Sequence, residues 1–79
     1  MAKGDRRAWA FLDGEPFSAT VQQGQTPAAA VARSLKRRLG ADVVLWPQET
    51  TPSGMAYRAE WFDPESERFR EGRVEIWRL

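Results

Sequence analysis

Residues 26–40 read TPAAAVARSLKRRLG, and this is the one helix that the chain spells out from start to stop. Thr26 is a capping residue whose hydroxyl accepts a free backbone N–H of the first turn. Pro27 suits the first helical position, where no N–H is needed. Gly40 suits the left-handed turn that ends a helix. Between them Ala28, Val31, Ala32, Leu35 and Leu39 recur at three- and four-residue steps, forming one apolar stripe. Arg33, Lys36 and Arg37 fall on the opposite side, with Arg38 at its flank. Such a helix needs an apolar surface to lie on, and the remaining apolar runs alternate with period two, as strands do.

Before the helix, residues 8–12 (AWAFL) and 17–22 (FSATVQ) alternate across the turn signal DGEP and predict a hairpin. Its register decides the side on which Trp9 falls. A two-residue Asp13-Gly14 loop pairs Leu12 with Glu15 and sets Ala10 facing Phe17, so that Trp9 and Phe11 lie on the side of Ser18 and Thr20, exposed, and become candidates for a partner site. A three-residue loop pairs Leu12 with Pro16 and gathers Trp9, Phe11 and Phe17 on one side. Burying two aromatics is worth several kcal/mol, which favours the longer loop. Residues 1–7 are expected to form a loose arm.

After the helix, residues 42–46 (DVVLW) are apolar on both faces and predict a central strand. PQETTPSG reads as a loop. Residues 55–62 (MAYRAEWF) alternate, DPES is a turn, and residues 68–78 form a last strand. A bulge at Gly72 would let Phe69 share a side with Val74 and Ile76. The order is β-β-α-β-β-β. It predicts a single α+β domain over residues 1–79, an antiparallel sheet of about five strands with the helix across one face. One 13-residue helix cannot cover five strands, so part of the other face stays open. Trp46, Phe62 and Trp77 lie in the phase opposite to the core residues of their strands and are expected to cluster there.

The chain has 79 residues, no cysteine and no histidine. Disulfides and thiolate-held zinc are excluded, and the commonest acid–base residue is missing. Ser18, Ser34, Ser53 and Ser66 have no histidine to activate them. Glu15, Glu49, Glu60, Asp63 and Glu65 offer paired carboxylates, but glycoside hydrolysis needs a cleft that so short a chain scarcely builds. The glycines show no phosphate-loop or dinucleotide spacing. The expectation is a non-enzyme without cofactor or metal. No stretch approaches the roughly 20 apolar residues of a membrane span. The N-terminus has no apolar run of signal-peptide length, so an intracellular protein is expected.

The net charge of +1 is divided unevenly. Residues 1–40 hold seven Lys/Arg against three Asp/Glu, or +4; residues 41–79 hold five against eight, or −3. Two surfaces follow. One is basic: Arg33, Lys36 and Arg37 on the helix, with Lys3, Arg6 and Arg7 in the arm, a candidate for phosphate contacts. The other is aromatic and acidic: Trp46, Phe62 and Trp77 with Asp63, Glu65, Glu71 and Glu75, a candidate for a protein partner with a basic groove. Acidic residues on the aromatic strands repel phosphate, so direct nucleic-acid binding is the secondary expectation.

The layout resembles the small phage- and plasmid-borne anti-CRISPR proteins that act on type I effector complexes. The likeness lies in size, in the single domain, and in a hairpin leading into an Ala-rich helix (FSATVQQGQTPAAAVARSL) followed by strands. That group shares no motif, so no functional residue is carried over. The resemblance implies binding to a subunit of a type I effector (Cascade), obstruction of target-DNA recognition, and a site of action in the cytoplasm of a bacterial host. The alternatives are a small nucleic-acid-binding protein and a structural or accessory phage protein.

Overall fold

A computed structural model describes residues 5–78. It contains strand β1 (Arg6–Leu12), strand β2 (Glu15–Val21), helix α1 (Pro27–Leu39), and strands β3 (Val43–Thr51), β4 (Gly54–Asp63) and β5 (Arg68–Trp77). All strand pairs are antiparallel and form one sheet in the order β2-β1-β5-β4-β3, with the helix packed across one face.

The helix ends where its capping chemistry dictates. The Thr26 hydroxyl accepts the Ala29 N–H at 3.2 Å, and Gly40, at φ 69°, donates its N–H to the Lys36 carbonyl at 2.9 Å. Val31 and Leu35 of the expected stripe are fully buried, and Ala28 and Leu39 are partly so. The stripe is rotated from the expected one, however: Ala30 and Ser34 are buried and Ala32 is only half-buried. The helix leans toward β2, where the Ser34 hydroxyl donates to the Ser18 carbonyl at 3.4 Å. β2 is an edge strand, and this contact covers one of its polar groups. The sheet side of the core is built from Ala8, Ala10, Phe17, Ala19, Val21, Ala59, Val74 and Ile76. Its many alanines let the helix backbone come close.

The first hairpin takes the short loop. Leu12 pairs with Glu15 and Ala10 with Phe17, not Phe11 with Phe17 as the burial argument favours. Asp13 (φ 48°) and Gly14 (φ 88°) both adopt positive φ, the turn whose twist matches that of the strands. In the register that this turn sets, Ala8 and Ala10 join Phe17 on the helix side, and Trp9 and Phe11 lie on the other.

Three further expectations change. β3 is an edge strand, not a central one; its Val44 and Trp46 face away from the helix and are about half exposed. It runs on to Thr51 through residues read as loop, with a bulge between Pro47 and Glu49. Both proline and bulge suit an edge. β5 carries no bulge: its register with β4 is unbroken from Gly54↔Trp77 to Asp63↔Arg68. A Cβ at Gly72 would lie 2.8 Å from a carboxylate oxygen of Asp13, so this glycine makes room for the turn of the neighbouring hairpin. Arg6 and Arg7 belong to β1 and not to an arm; Lys3 and the rest of residues 1–4 lie outside the described residues.

Candidate functional site

The sheet face away from the helix is built by period two. On β1 it carries Arg7, Trp9 and Phe11; on β5, Phe69, Glu71, Arg73, Glu75 and Trp77; on β4, Ala56, Arg58, Glu60 and Phe62; on β3, Val44, Trp46 and Glu49. The bulge in β3 matters here. Without the extra residue, Glu49 would fall on the helix side.

Register sorts these side chains into rows. Phe69 is level with Phe62, Glu71 with Glu60 and Val44, and Arg73 with Arg58 and Trp46. Glu75 is level with Phe11, Ala56 and Glu49. The face therefore has an aromatic island at each end and a charged belt between. At one end Phe11 and Trp77 meet with ring centroids 5.0 Å apart, and Trp9 lies two residues back along β1. At the other, Phe62 and Phe69 pack edge-on at 5.4 Å, beside a shallow notch of about 440 Å³ lined by Val44, Trp61 and Pro64 among others. Phe69 is 73% exposed and Trp9 52%. Such large apolar side chains, gathered on one face, leave it with an exposed apolar surface at each end.

In the belt each arginine is held by two carboxylates. Arg58 reaches Glu60 at 3.1 Å and Glu71 at 3.2 Å; Arg73 reaches Glu49 at 2.9 Å and Glu75 at 3.3 Å. The hydrogen bond to Glu60 first, and that to Glu71 after it, raise the Arg58 pKa above the ordinary arginine value; Glu49 and then Glu75 do the same for Arg73. Both guanidiniums stay charged at all physiological pH. The Arg58 guanidinium also lies 5.9 Å from the centroid of the Trp46 ring. Four carboxylates against two guanidiniums leave the belt at −2.

Of the residues singled out from sequence, Trp46, Phe62, Glu71, Glu75 and Trp77 share this face. They do not form one cluster: Trp77 belongs to one island, Phe62 to the other, and Trp46 stands near the β3 edge. Asp63 and Glu65 are elsewhere. Asp63 accepts the Glu65 N–H at 3.0 Å and the Ser66 hydroxyl at 3.0 Å, which fixes the β4–β5 turn, and both border a cleft on the helix side with Arg38 and Arg70. The basic set is dispersed. Arg33 and Arg37 are exposed on the outer side of the helix, and Lys36 pairs with Asp42 at 2.9 Å. Arg7 is on the open face, while Arg6 borders a cleft of about 570 Å³ at the helix start, with Thr26, Met55, Tyr57, Ile76 and Arg78.

Sequence reasoning does not count Phe69, Arg58, Arg73, Glu49 and Glu60 among the candidate site residues, although the alternation of residues 55–62 sets Arg58 and Glu60 on the side of Phe62. The signal for the charged ones is the alternation Arg58-x-Glu60 and Glu71-x-Arg73-x-Glu75, which places opposite charges on one side of each strand. Among the described residues, no group of three or more His, Cys, Asp or Glu is placed to hold a metal ion, and no helix is long and apolar enough to cross a membrane. No protein-family model, curated protein or solved structure matches the chain.

Proposed function

We propose that this chain is a non-enzymatic protein-binding module whose contact surface is the open sheet face, and that it inhibits a type I CRISPR effector by binding a subunit of it and blocking target DNA. The observation that carries the surface is the exposure of Trp9, Trp77, Phe62 and Phe69 on a face the helix leaves bare. Aromatic residues dominate the energetics of protein interfaces, and a folded domain rarely exposes so many on one side without a partner. The partner's identity comes from the layout resemblance to anti-CRISPR proteins and from nothing in the site itself.

The test is a competition assay with a reconstituted type I effector and its target DNA. Wild-type protein is expected to bind the effector and displace the DNA. Trp77→Ala is expected to weaken binding about 30- to 1,000-fold, the usual cost of an interface tryptophan, with the fold retained. No complex with the effector removes that partner. A complex that Trp77→Ala leaves unchanged removes the surface.

A further inference from the structure

Taking the open face as the contact surface proposed above, we infer that it is built to refuse a second copy of this chain and to accept a protein surface of the reversed charge pattern: basic, acidic, basic, between two apolar ends. Exposed aromatic islands invite self-association, and face-to-face stacking with the strands nearly aligned is the arrangement that would bring both pairs of islands together. The islands stand about 26 Å apart along β5, eight residues at the usual rise of a strand. Between them the rows read Glu75–Glu49, then Arg73–Arg58, then Glu71–Glu60.

Two-fold symmetry acts on that order. With the axis along the strands, every row meets itself; each row carries charge of one sign beside neutral residues such as Phe11, Ala56, Trp46 and Val44, so no carboxylate meets a guanidinium. With the axis across the strands at the centre of the belt, the arginine row meets itself again and the two glutamate rows meet each other. Sliding one copy by a row brings arginine onto glutamate, but it also drives the outer glutamate row onto Trp77 at one end or onto Phe69 and Phe62 at the other. Carboxylates buried against aromatic rings lose their water without gaining a partner. Aligned self-stacking is therefore opposed in each of these registers, and like charges set face to face are a known device for rejecting wrong partners.

Pairing along the sheet edges is blunted as well. β2 has the Ser34 contact from the helix, and β3 has Pro47 and its bulge. The belt's own surplus is two negative charges, because each arginine answers only one of its two carboxylates. The occupant that fits carries cationic side chains opposite the glutamate rows, an acidic group opposite Arg58 and Arg73, and apolar side chains at both ends. A nucleic acid, with negative charge throughout, does not fit.

The probe is a charge-reversed copy of the chain carrying Glu49→Lys, Arg58→Glu, Glu60→Lys, Glu71→Lys, Arg73→Glu and Glu75→Lys. Each ion pair within the face is kept with its sign inverted, and a melting curve checks that the copy folds. In sedimentation velocity, wild type alone is expected to remain monomeric to millimolar concentration, and so is the reversed copy. An equimolar mixture is expected to form a one-to-one complex, at least about 100-fold tighter than either self-association, that dissociates as salt rises. Wild type that dimerises overturns the inference whether or not the reversed copy folds, and so does a mixture of folded chains that stays monomeric. A mixed complex that survives Trp9→Ala with Trp77→Ala in both chains instead sinks the reading of the aromatic face as a contact surface.

Discussion

The rings of Phe11 and Trp77 lie 5.0 Å apart between centroids, tilted by 45°, on the side of the sheet away from the helix. They join the first strand to the last outside the core. Tilted aromatic pairs are worth about 0.5–1.5 kcal/mol beyond the area they bury. A double-mutant cycle of Phe11→Ala and Trp77→Ala, followed by urea unfolding, is expected to return a coupling of that size. Each single variant should still fold, since the helix-side core is untouched. Zero coupling would mean that the rings do not meet in solution.

Asp13 closes the first hairpin and also ties it to β5. Its N–H donates to the Arg73 carbonyl at 2.9 Å, and its carboxylate accepts the Arg73 N–H at 2.9 Å. Asp13→Ala is expected to cost about 1–2 kcal/mol through the lost hydrogen bond alone. Gly14→Ala should cost about the same, because φ 88° is costly for a residue with a Cβ. Both are read from urea midpoints. A Gly14→Ala variant as stable as wild type would mean that Gly14 does not take positive φ and that the two-residue turn is wrong.

These residues show what the sequence makes legible and what it hides. Helix ends are local chemistry, so Thr26, Pro27 and Gly40 mark them without knowledge of the rest of the fold. Strand phase is local too, which is why Trp46, Phe62 and Trp77 are correctly assigned to the open side. Register is not local. The hairpin loop differs by one residue between two readings, and that residue moves Trp9 and Phe11 across the sheet. Gly72 reads as a bulge because the side chain that needs its space, Asp13, is far away along the chain. Arg73 is not singled out by the sequence, because its partner Glu49 stands on β3, a strand not adjacent to β5. The Asp13-Gly14 turn, with both residues at positive φ, sets the short loop and outweighs the burial that Trp9 and Phe11 would gain on the helix side.

Leu35 is fully buried at the middle of the helix stripe, packed against the sheet core. Truncating such a residue costs roughly 2–5 kcal/mol. A domain this small is stable by only about 5 kcal/mol. Leu35→Ala is therefore expected to unfold the protein or to lower its melting temperature sharply, as seen by circular dichroism. An unchanged melting curve would mean that the helix does not pack as described.

Asp63 gives the fold an acid-sensitive turn. The Glu65 N–H is the main cause, with the Ser66 hydroxyl and then Arg70 adding to it, and together they hold its carboxyl below the ordinary aspartate value. A pKa lower in the folded than in the unfolded chain stabilises the fold fully above the unfolded value. That contribution is lost as pH falls through the lower, folded value. Wild type should therefore exceed Asp63→Asn in urea midpoint at neutral pH, and the gap should close under strongly acidic conditions. A gap of the same size at both would show that the ionised carboxylate is not what holds the turn.

The helix arginines offer the sharpest contrast with the open face. Arg33 and Arg37 are exposed on the outer side of the helix, and Lys36 is engaged with Asp42. Lys36, Arg37 and Arg38 sit in the last turn, where positive charge complements the carbonyl end of the helix. Replacing Arg33, Lys36 and Arg37 with alanine is expected to lower the melting temperature by a few degrees and to change partner binding by less than about threefold. Single-stranded and duplex DNA should not bind wild type at physiological salt, because the basic residues are dispersed over three surfaces and the aromatic face carries surplus negative charge. Fluorescence anisotropy with labelled oligonucleotides checks this. Micromolar binding that falls steeply with salt and disappears in the triple variant would transfer the functional surface from the sheet to the helix.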